Sequence, residues 1–153
     1  MKSALMNLVL YLRQIYWRVF QPATRGVRAV LVNERGEIFL VKHSYGAGWY
    51  LPGGRVNRKE DDFAALHREL FEEVGIRFNA PGRQLGVYLN EREHKKDTIV
   101  VFVINASAVK ESKDIEIEAG SFFSPASLPE DVSPGTKRRI EEWLGKRSVT
   151  SQW

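Results

Sequence analysis

The spacing of apolar residues changes from helical to β-type near residue 22. Over residues 4–20 the apolar side chains repeat at helical spacing and leave one narrow polar stripe, which predicts an amphipathic helix. After Pro22, the runs GVRAVLVN and IFLVKH flank the turn sequence ERGE, and this arrangement predicts a β-hairpin. We therefore expect an N-terminal helix over residues 1–22 and a separate domain over residues 23–153.

The domain is predicted to contain a central helix, a closing helix and a largely non-local sheet. YGAGWYLPGG is rich in glycine and predicts a loop with one short strand. Leu66, Leu70 and Val74 then share one helix face, and Gly75 stands where such a helix ends. Asn57 or a neighbour is the expected cap. LGVYLN, TIVVFVINA and, more weakly, IEIEAGSFFS predict strands, and GTKRRIEEWLG predicts a helix. The fold class is a mixed α/β (α+β) domain.

The apolar face of the N-terminal segment is expected to be buried against another surface. Its run ALMNLVLYL is similar to the start of a secretion signal, but no small-residue cleavage site follows, and Arg13 and Arg18 interrupt the stretch. The run is also too short and too charged to span a bilayer, so we expect a cytoplasmic protein. Packing against its own domain or in a homodimer is the preferred role for this helix. Contact with a membrane surface is the alternative.

Composition narrows the chemistry that the chain can perform. It has no cysteine, which excludes disulfides, thiolate metal sites and cysteine nucleophiles. The hydrophobic content of 43% supports a packed core, so we do not expect wholesale disorder. The formal net charge of +4 favours polyanionic partners such as nucleotides, although a charge of this size is also ordinary surface variation.

Three glutamates on the central helix are the chemically unusual feature. Glu69, Glu72 and Glu73 are three and four residues apart, so their carboxylates project from neighbouring positions on one side. Like charges this close repel each other unless cations lie among them, and oxygen ligands are those that Mg²⁺ prefers. Arg68 can pair with one carboxylate and hold it in place. A solvated acidic helix face is the alternative interpretation.

The complete segment from Gly54 to Ile76 resembles the Nudix box. That motif is a glycine, five residues, a glutamate, seven residues, and then Arg-Glu-aliphatic-any-Glu-Glu-any-Gly-aliphatic. Here it is GRVNRKEDDFAALHRELFEEVGI, with no departure from the pattern. The preceding GWYLPGG looks like the usual lead-in, and the strand order extends the likeness over about residues 24–145. The resemblance implies a loop–helix–loop beside a mixed sheet in an α/β/α sandwich. The N-terminal helix lies outside it.

Position by position, the resemblance implies a site for Mg²⁺, with Mn²⁺ as a possible substitute. The implied ligands are Glu69, Glu72, Glu73, the carbonyl group of Gly54 and a fourth carboxylate, Glu116. Glu118 is the alternative for that fourth carboxylate, since both positions precede the aromatic pair Phe122-Phe123. Glu60 and Arg68 would support the site through salt bridges and hydrogen bonds.

The resemblance leaves the general base open. A bound Mg²⁺ neutralises charge on phosphate oxygens and lowers the pKa of a water molecule, and a carboxylate then removes its proton as the hydroxide attacks phosphorus. Glu69 is the first choice for that carboxylate. Its rivals, on the connection before TIVVFV, are Glu91, Glu93 and His94. For the histidine, a solvated loop position is the simpler interpretation.

Substrate selection is expected to come from residues outside the box. The candidates are Arg28, Lys42 and Arg55, which could meet phosphates, and Trp49, which could stack on a base. Tyr50 and Tyr88 could stack in the same way, although aromatic residues in such positions more often fill the core. None of these residues identifies the leaving group.

The implied function is Mg²⁺-dependent hydrolysis of a pyrophosphate bond in a nucleoside diphosphate linked to another group. Nucleotides, nucleotide sugars, ADP-ribose and nucleoside triphosphates all stay open as substrates, with a nucleoside monophosphate and a phosphorylated product released. Action on RNA 5′ ends is the rival among enzymes. The basic residues are scattered, however, so we expect no stable nucleic-acid partner. A silent nucleotide-binding module is the rival from another class. Such modules typically lose box glutamates, whereas all are present here.

Overall fold

Five strands form one mixed sheet in the computed structural model, which describes residues 11–12, 15, 23–76, 78, 82–92, 95–106 and 116–153. The strands are β1 (Ala23–Val32), β2 (Ile38–His43), β3 (Arg83–Arg92), β4 (Lys95–Asn105) and β5 (Ile117–Phe123). Their order across the sheet is β3-β4-β1-β2-β5. β1 and β4 are parallel, and the other neighbouring pairs are antiparallel.

The predicted hairpin is present, with Val32 opposite Ile38 across its turn. The Asn33 side chain closes the turn by accepting hydrogen bonds from two backbone N–H groups. β1 begins earlier than its apolar run indicates, at Ala23, and pairs along its whole length with β4. Because these two strands are distant in the sequence, no short-range pattern could have predicted their parallel pairing.

Beyond the hairpin turn, the segment 50–56 lies between β1 and β2. The Val27 N–H of β1 donates to the Gly54 carbonyl at 2.9 Å, and Tyr50 pairs with Val41 of β2. The short strand expected in the glycine-rich loop is therefore reduced to isolated bridges. This insertion places the first glycines of the box segment beside the middle of the sheet.

One helix covers each face of the sheet, α1 (Asp62–Val74) and α2 (Pro134–Trp143). The α1-side core consists of Val27, Ala29, Leu31, Phe39, Val41, Ala65, Leu66, Leu70, Val74, Ile76, Val100, Phe102, Ile104 and Ala106. The α2-side core consists of Val30, Val32, Ile38, Leu40, Leu51, Leu85, Tyr88, Val101 and Ile140. Alternate residues of β1 belong to opposite cores, as a two-sided sheet requires. The predicted α/β/α sandwich is confirmed.

The N-cap of helix α1 lies directly before its first residue, and the helix ends at the predicted glycine. Asp61 is the N-cap, and its carboxylate accepts from the Ala64 N–H at 2.7 Å. Asn57, the named candidate for the cap, instead begins the turn that leads into the helix. Gly75 ends α1 with a φ of 67°, and its N–H donates to the Phe71 carbonyl at 3.0 Å.

The predicted N-terminal helix falls largely outside the described residues. Tyr11, Leu12 and Ile15 are helical and exposed; the other positions of that segment lie outside the part of the chain that the structure describes. Its role in a homodimer or at a membrane surface stays a prediction. Among the described residues, no helix has the length and apolar character needed to cross a membrane.

A buried ion pair joins α2 to β3 and to the segment after α2. Arg139 is fully buried and donates to Glu142 Oε1 at 3.0 Å and to the Gln152 carbonyl at 2.9 Å. Glu142 Oε2 accepts from the Tyr88 hydroxyl at 2.7 Å, and the guanidinium lies 3.8 Å from the centre of that ring. Burial lowers the pKa of Arg139 and raises the pKa of Tyr88. The hydrogen bonds and opposite charges of its partners therefore stabilise each of these polar groups in the buried state.

The substitution Arg139→Gln should lower the free energy of unfolding by about 3–5 kcal/mol, because it leaves the buried Glu142 carboxylate without its cation. In a domain of this size the melting temperature should fall by on the order of 10 °C, measured by circular dichroism. The matched control is Lys137→Gln, an exposed position on the same helix, which should change stability by less than about 0.5 kcal/mol. Equal melting of the two variants would contradict a stabilising role for the pair.

Candidate active site

The box segment arranges its charged side chains around Arg68 of α1. Nε and Nη2 of this guanidinium donate to the two oxygens of Glu60 at 2.7 and 2.9 Å. Nη1 donates to Glu69 at 2.7 Å and to Glu72 at 3.4 Å. Nη2 also donates to the Arg55 carbonyl at 2.9 Å. One planar cation therefore holds the loop before α1 against two of the three glutamates that α1 carries at positions 69, 72 and 73.

The contact with Arg68 changes the titration of Glu60. It lowers the pKa of Glu60 from the ordinary 4.5 to about 2, with the hydrogen bond from Arg68 as the largest cause and the N–H of Asn57 as the next. The same contact raises the pKa of Arg68. Both groups are therefore ionised at neutral pH. This geometry suits the supporting role that the resemblance implies for the two residues.

Two adjacent glycines bring the box loop close to α1. Glu73 is buried, with 5% of its surface exposed, and its Oε2 accepts from the Gly53 N–H at 2.7 Å. Gly53 has a φ of 132°, and a side chain there would overlap the Val27 carbonyl. At Gly54, a side chain would occupy the space that holds the Glu69 carboxylate. The close approach of the loop to β1 therefore requires glycine at position 53, whereas a side chain at position 54 would displace the flexible end of Glu69.

The residues present fit a hard divalent cation in their chemistry. The Glu69 carboxylate lies against the Gly54 backbone because residue 54 has no side chain, and carboxylate and carbonyl oxygens are the ligands that Mg²⁺ prefers. Within the described ranges, no three acidic or histidine side chains already surround one point. Glu69 and Glu72 contact Arg68 instead. A bound cation would therefore compete with Arg68 for these carboxylates.

Three of the remaining acidic candidates lie within the described residues, and all three are exposed. Glu116 directly precedes β5 and is exposed, with its carbonyl accepting from the Ser44 N–H at 2.9 Å. Glu118 is exposed on β5, and Glu91 is exposed on β3. The two other rivals for the general base, Glu93 and His94, lie outside the described residues. The fourth metal ligand and the base stay predictions.

Two of the four substrate-binding candidates already have partners within the protein. Arg28 donates to the Gly53 carbonyl, so it supports the glycine loop from the β1 side. Lys42 of β2 lies 4.0 Å from Asp131. A bound substrate would have to share or replace these partners.

The other two candidates differ in exposure. Arg55 is exposed next to the box, with its backbone tied to Arg68. Trp49 instead packs edge-on against Phe123, with ring centres 4.9 Å apart, beside the α2-side core. Arg55 is thus the better placed of the two to meet a substrate. A substrate-binding role for each of the four stays a prediction.

A group of rings near the box loop includes one exposed aromatic residue, Tyr45, that was not identified from the sequence. His43 and Tyr45 stack with their centres 5.1 Å apart and an interplanar angle of 20°, and Tyr50 lies 5.8 Å from His43. We call these three residues the aromatic rim. Tyr45 is 72% exposed, whereas Tyr88 is fully buried. The signal that could have indicated Tyr45 is its position in the glycine-rich loop, where neighbouring side chains are too small to cover it.

The chain matches a known family over most of its length. The family model described as the NUDIX domain matches residues 22–144. Among solved structures, the MutT protein from Methanosarcina mazei Go1 superimposes with a TM-score of 0.72 at 29% identity, covering 84% of this chain and 98% of that one.

Two curated proteins are similar to this chain over different shares of their length. A protein of Bacillus subtilis (strain 168) named "Putative 8-oxo-dGTP diphosphatase" is 34% identical over 122 residues, which are 78% of this chain and 79% of that protein. The rat diphosphoinositol polyphosphate phosphohydrolase 2 is 31% identical over 89 residues, 58% of this chain. That match spans about half of the rat protein, 48% of its length.

The substitution Glu60→Gln should destabilise the protein at neutral pH and matter less in acid. Folding lowers the pKa of Glu60 from 4.5 to about 2, so its contribution is fully present above the unfolded pKa and is lost as the pH falls through the folded pKa. The gap in melting temperature between parent and variant should therefore narrow below about pH 4.5. Glu34→Gln, at an exposed turn position, is the control. A gap that stays constant into acid would contradict this assignment.

Proposed function

Because the chain belongs to the Nudix family of hydrolases, which act on pyrophosphate bonds, we propose that it cleaves this bond in a nucleoside diphosphate linked to another group, with Mg²⁺ as cofactor. The observation that carries the proposal is the complete box folded around Arg68, with Glu69 and Glu73 of α1 against the loop at Gly53 and Gly54 and with Glu72 beside Arg68.

We assign each box residue a task that agrees with its contacts. Glu69, Glu72 and Glu73, with the Gly54 carbonyl, would hold Mg²⁺, which supplies charge neutralisation and water activation when bound. Glu60 takes up two donors of Arg68 and so positions the guanidinium beside the glutamates. Glu73 fixes the loop through the Gly53 N–H. Glu69 remains our choice for the base that accepts the proton of the attacking water.

The aromatic rim supports a nucleotide as substrate. Stacked rings with an exposed face offer the sequence-tolerant contact on which a nucleobase binds, and Tyr45 presents the most exposed of these faces. Tyr50 packs against the α1-side core, so the rim and the box lie on the same side of the sheet. A diphosphoinositol polyphosphate has no base to stack there. The similarity to the Bacillus protein, which covers most of both chains, agrees with this choice.

A substrate panel with and without metal tests the proposal. Nucleoside triphosphates, nucleotide sugars, ADP-ribose, dinucleoside polyphosphates, capped RNA and a diphosphoinositol polyphosphate should be assayed with Mg²⁺ or Mn²⁺. We expect hydrolysis of at least one free nucleotide, its loss after chelation, and its return when metal is added. Full activity after exhaustive chelation would contradict the metal requirement. Cleavage of capped RNA alone would favour the RNA 5′-end alternative, and a folded but inactive protein would favour the silent module.

The substitution Glu73→Gln should lower kcat by at least ~10³-fold, because it removes a charge that we expect to hold the metal. The amide oxygen can still accept from the Gly53 N–H, so the melting temperature should change little. The measurement is steady-state hydrolysis of the best substrate from the panel, with Glu34→Gln as the matched surface control. Normal turnover by a normally folded variant would show that Glu73 is not a ligand.

A further inference from the structure

The turn before α1 presents two cations that have no partner in the described part of the chain. The Glu60 N–H donates to the Asn57 carbonyl at 3.0 Å, and the Asn57 N–H donates back to Glu60 Oε2 at 2.9 Å. These two bonds close a four-residue turn whose central positions are Arg58 and Lys59. Both side chains are exposed. We call residues 57–60 the basic turn.

The basic turn is held in place by the active site itself. Glu60 binds Arg68 at 2.7 and 2.9 Å, and Arg68 binds the Arg55 carbonyl on the other side of the turn. Arg68 in turn contacts Glu69, one of the expected metal ligands. The backbone that carries Arg58 and Lys59 is therefore fixed with respect to the site, so the turn loses little further backbone freedom when an anion binds.

Arg58 and Lys59 differ from three arginines nearby whose side chains already have partners. Arg25 forms a two-point ion pair with Asp62 at 2.6 Å, Arg28 binds the Gly53 carbonyl, and Arg68 is shared among carboxylates. By comparison, Arg58 and Lys59 have open positions for an anionic ligand. Exposed positive charge next to a catalytic site attracts anionic ligands and raises their local concentration.

We propose that Arg58 and Lys59 bind the phosphate groups of the substrate that lie beyond the cleaved linkage, so that the site favours chains of three or more phosphates. This inference rests on the proposed function and names the class of substrate within it. The glutamates would hold the metal, whose charge would neutralise the two phosphates that flank the cleaved bond. A further phosphate adds negative charge that the acidic helix would repel, and the basic turn compensates that charge. A neutral sugar in the same place would gain nothing from these cations.

The test compares two double variants that each remove two positive charges. Arg58→Gln/Lys59→Gln changes the basic turn, and Lys137→Gln/Lys146→Gln changes exposed lysines on and after α2, on the other face of the sheet. Each is assayed with a nucleoside triphosphate and with a nucleotide sugar. The turn variant should raise KM for the triphosphate about tenfold, with kcat and the nucleotide sugar nearly unchanged. The control variant should match the parent on both substrates, and all three proteins should melt alike.

Three outcomes would overturn the proposal: equal loss on both substrates, no loss on the triphosphate, or a parent enzyme that prefers the nucleotide sugar. A parent that hydrolyses no substrate would instead contradict the proposed function. In that case calorimetric binding of inorganic tripolyphosphate with Mg²⁺ decides the inference separately. Binding about tenfold weaker in the turn variant than in the control variant would support the basic turn as a polyphosphate site. Equal binding by the two variants would refute it.

Discussion

The Arg68 guanidinium is the interaction on which the site depends. Its three nitrogens bind both oxygens of Glu60, one oxygen each of Glu69 and Glu72, and the Arg55 carbonyl. A planar group with five N–H donors can serve that many acceptors at fixed angles, whereas a lysine ammonium could not. Without this cation, α1 would carry neighbouring like charges with no compensation, and the loop before the helix would lose its anchor.

Backbone shape is the second constraint on the site. Gly53 lets the loop pass close to the Val27 carbonyl of β1, and Gly54 leaves space for the Glu69 carboxylate of α1. The same loop lies between β1 and β2, where the Val27 N–H binds the Gly54 carbonyl at 2.9 Å. Sheet, loop and helix thus fix one another, and the box glutamates derive their positions from the core beneath α1.

Local patterns predicted the elements well, and the non-local contacts much less. The spacing of Leu66, Leu70 and Val74, followed by Gly75, predicted α1 because both signals act within a few residues. The full-length parallel pairing of β1 with β4 depends on contacts between distant segments, which no local pattern contains. Local patterns were equally unable to predict which side chains are buried. Tyr88 and Tyr45 are both aromatic, yet one is sealed beneath α2 and the other is 72% exposed, and only the tertiary packing distinguishes them.

Charge balance explains why the site combines an acidic helix with a basic turn. Glu60 neutralises Arg68, so Glu69, Glu72 and Glu73 keep an excess of negative charge that can attract a divalent cation. In the proposed complex with a polyphosphate, the carboxylates would lie close to the phosphates, and one divalent cation would compensate only part of their mutual repulsion. Further positive side chains directly beside the glutamates would repel the divalent cation and so weaken its binding. In the proposed binding mode, the exposed cations of the fixed turn reduce the repulsion between the glutamates and the outlying phosphates.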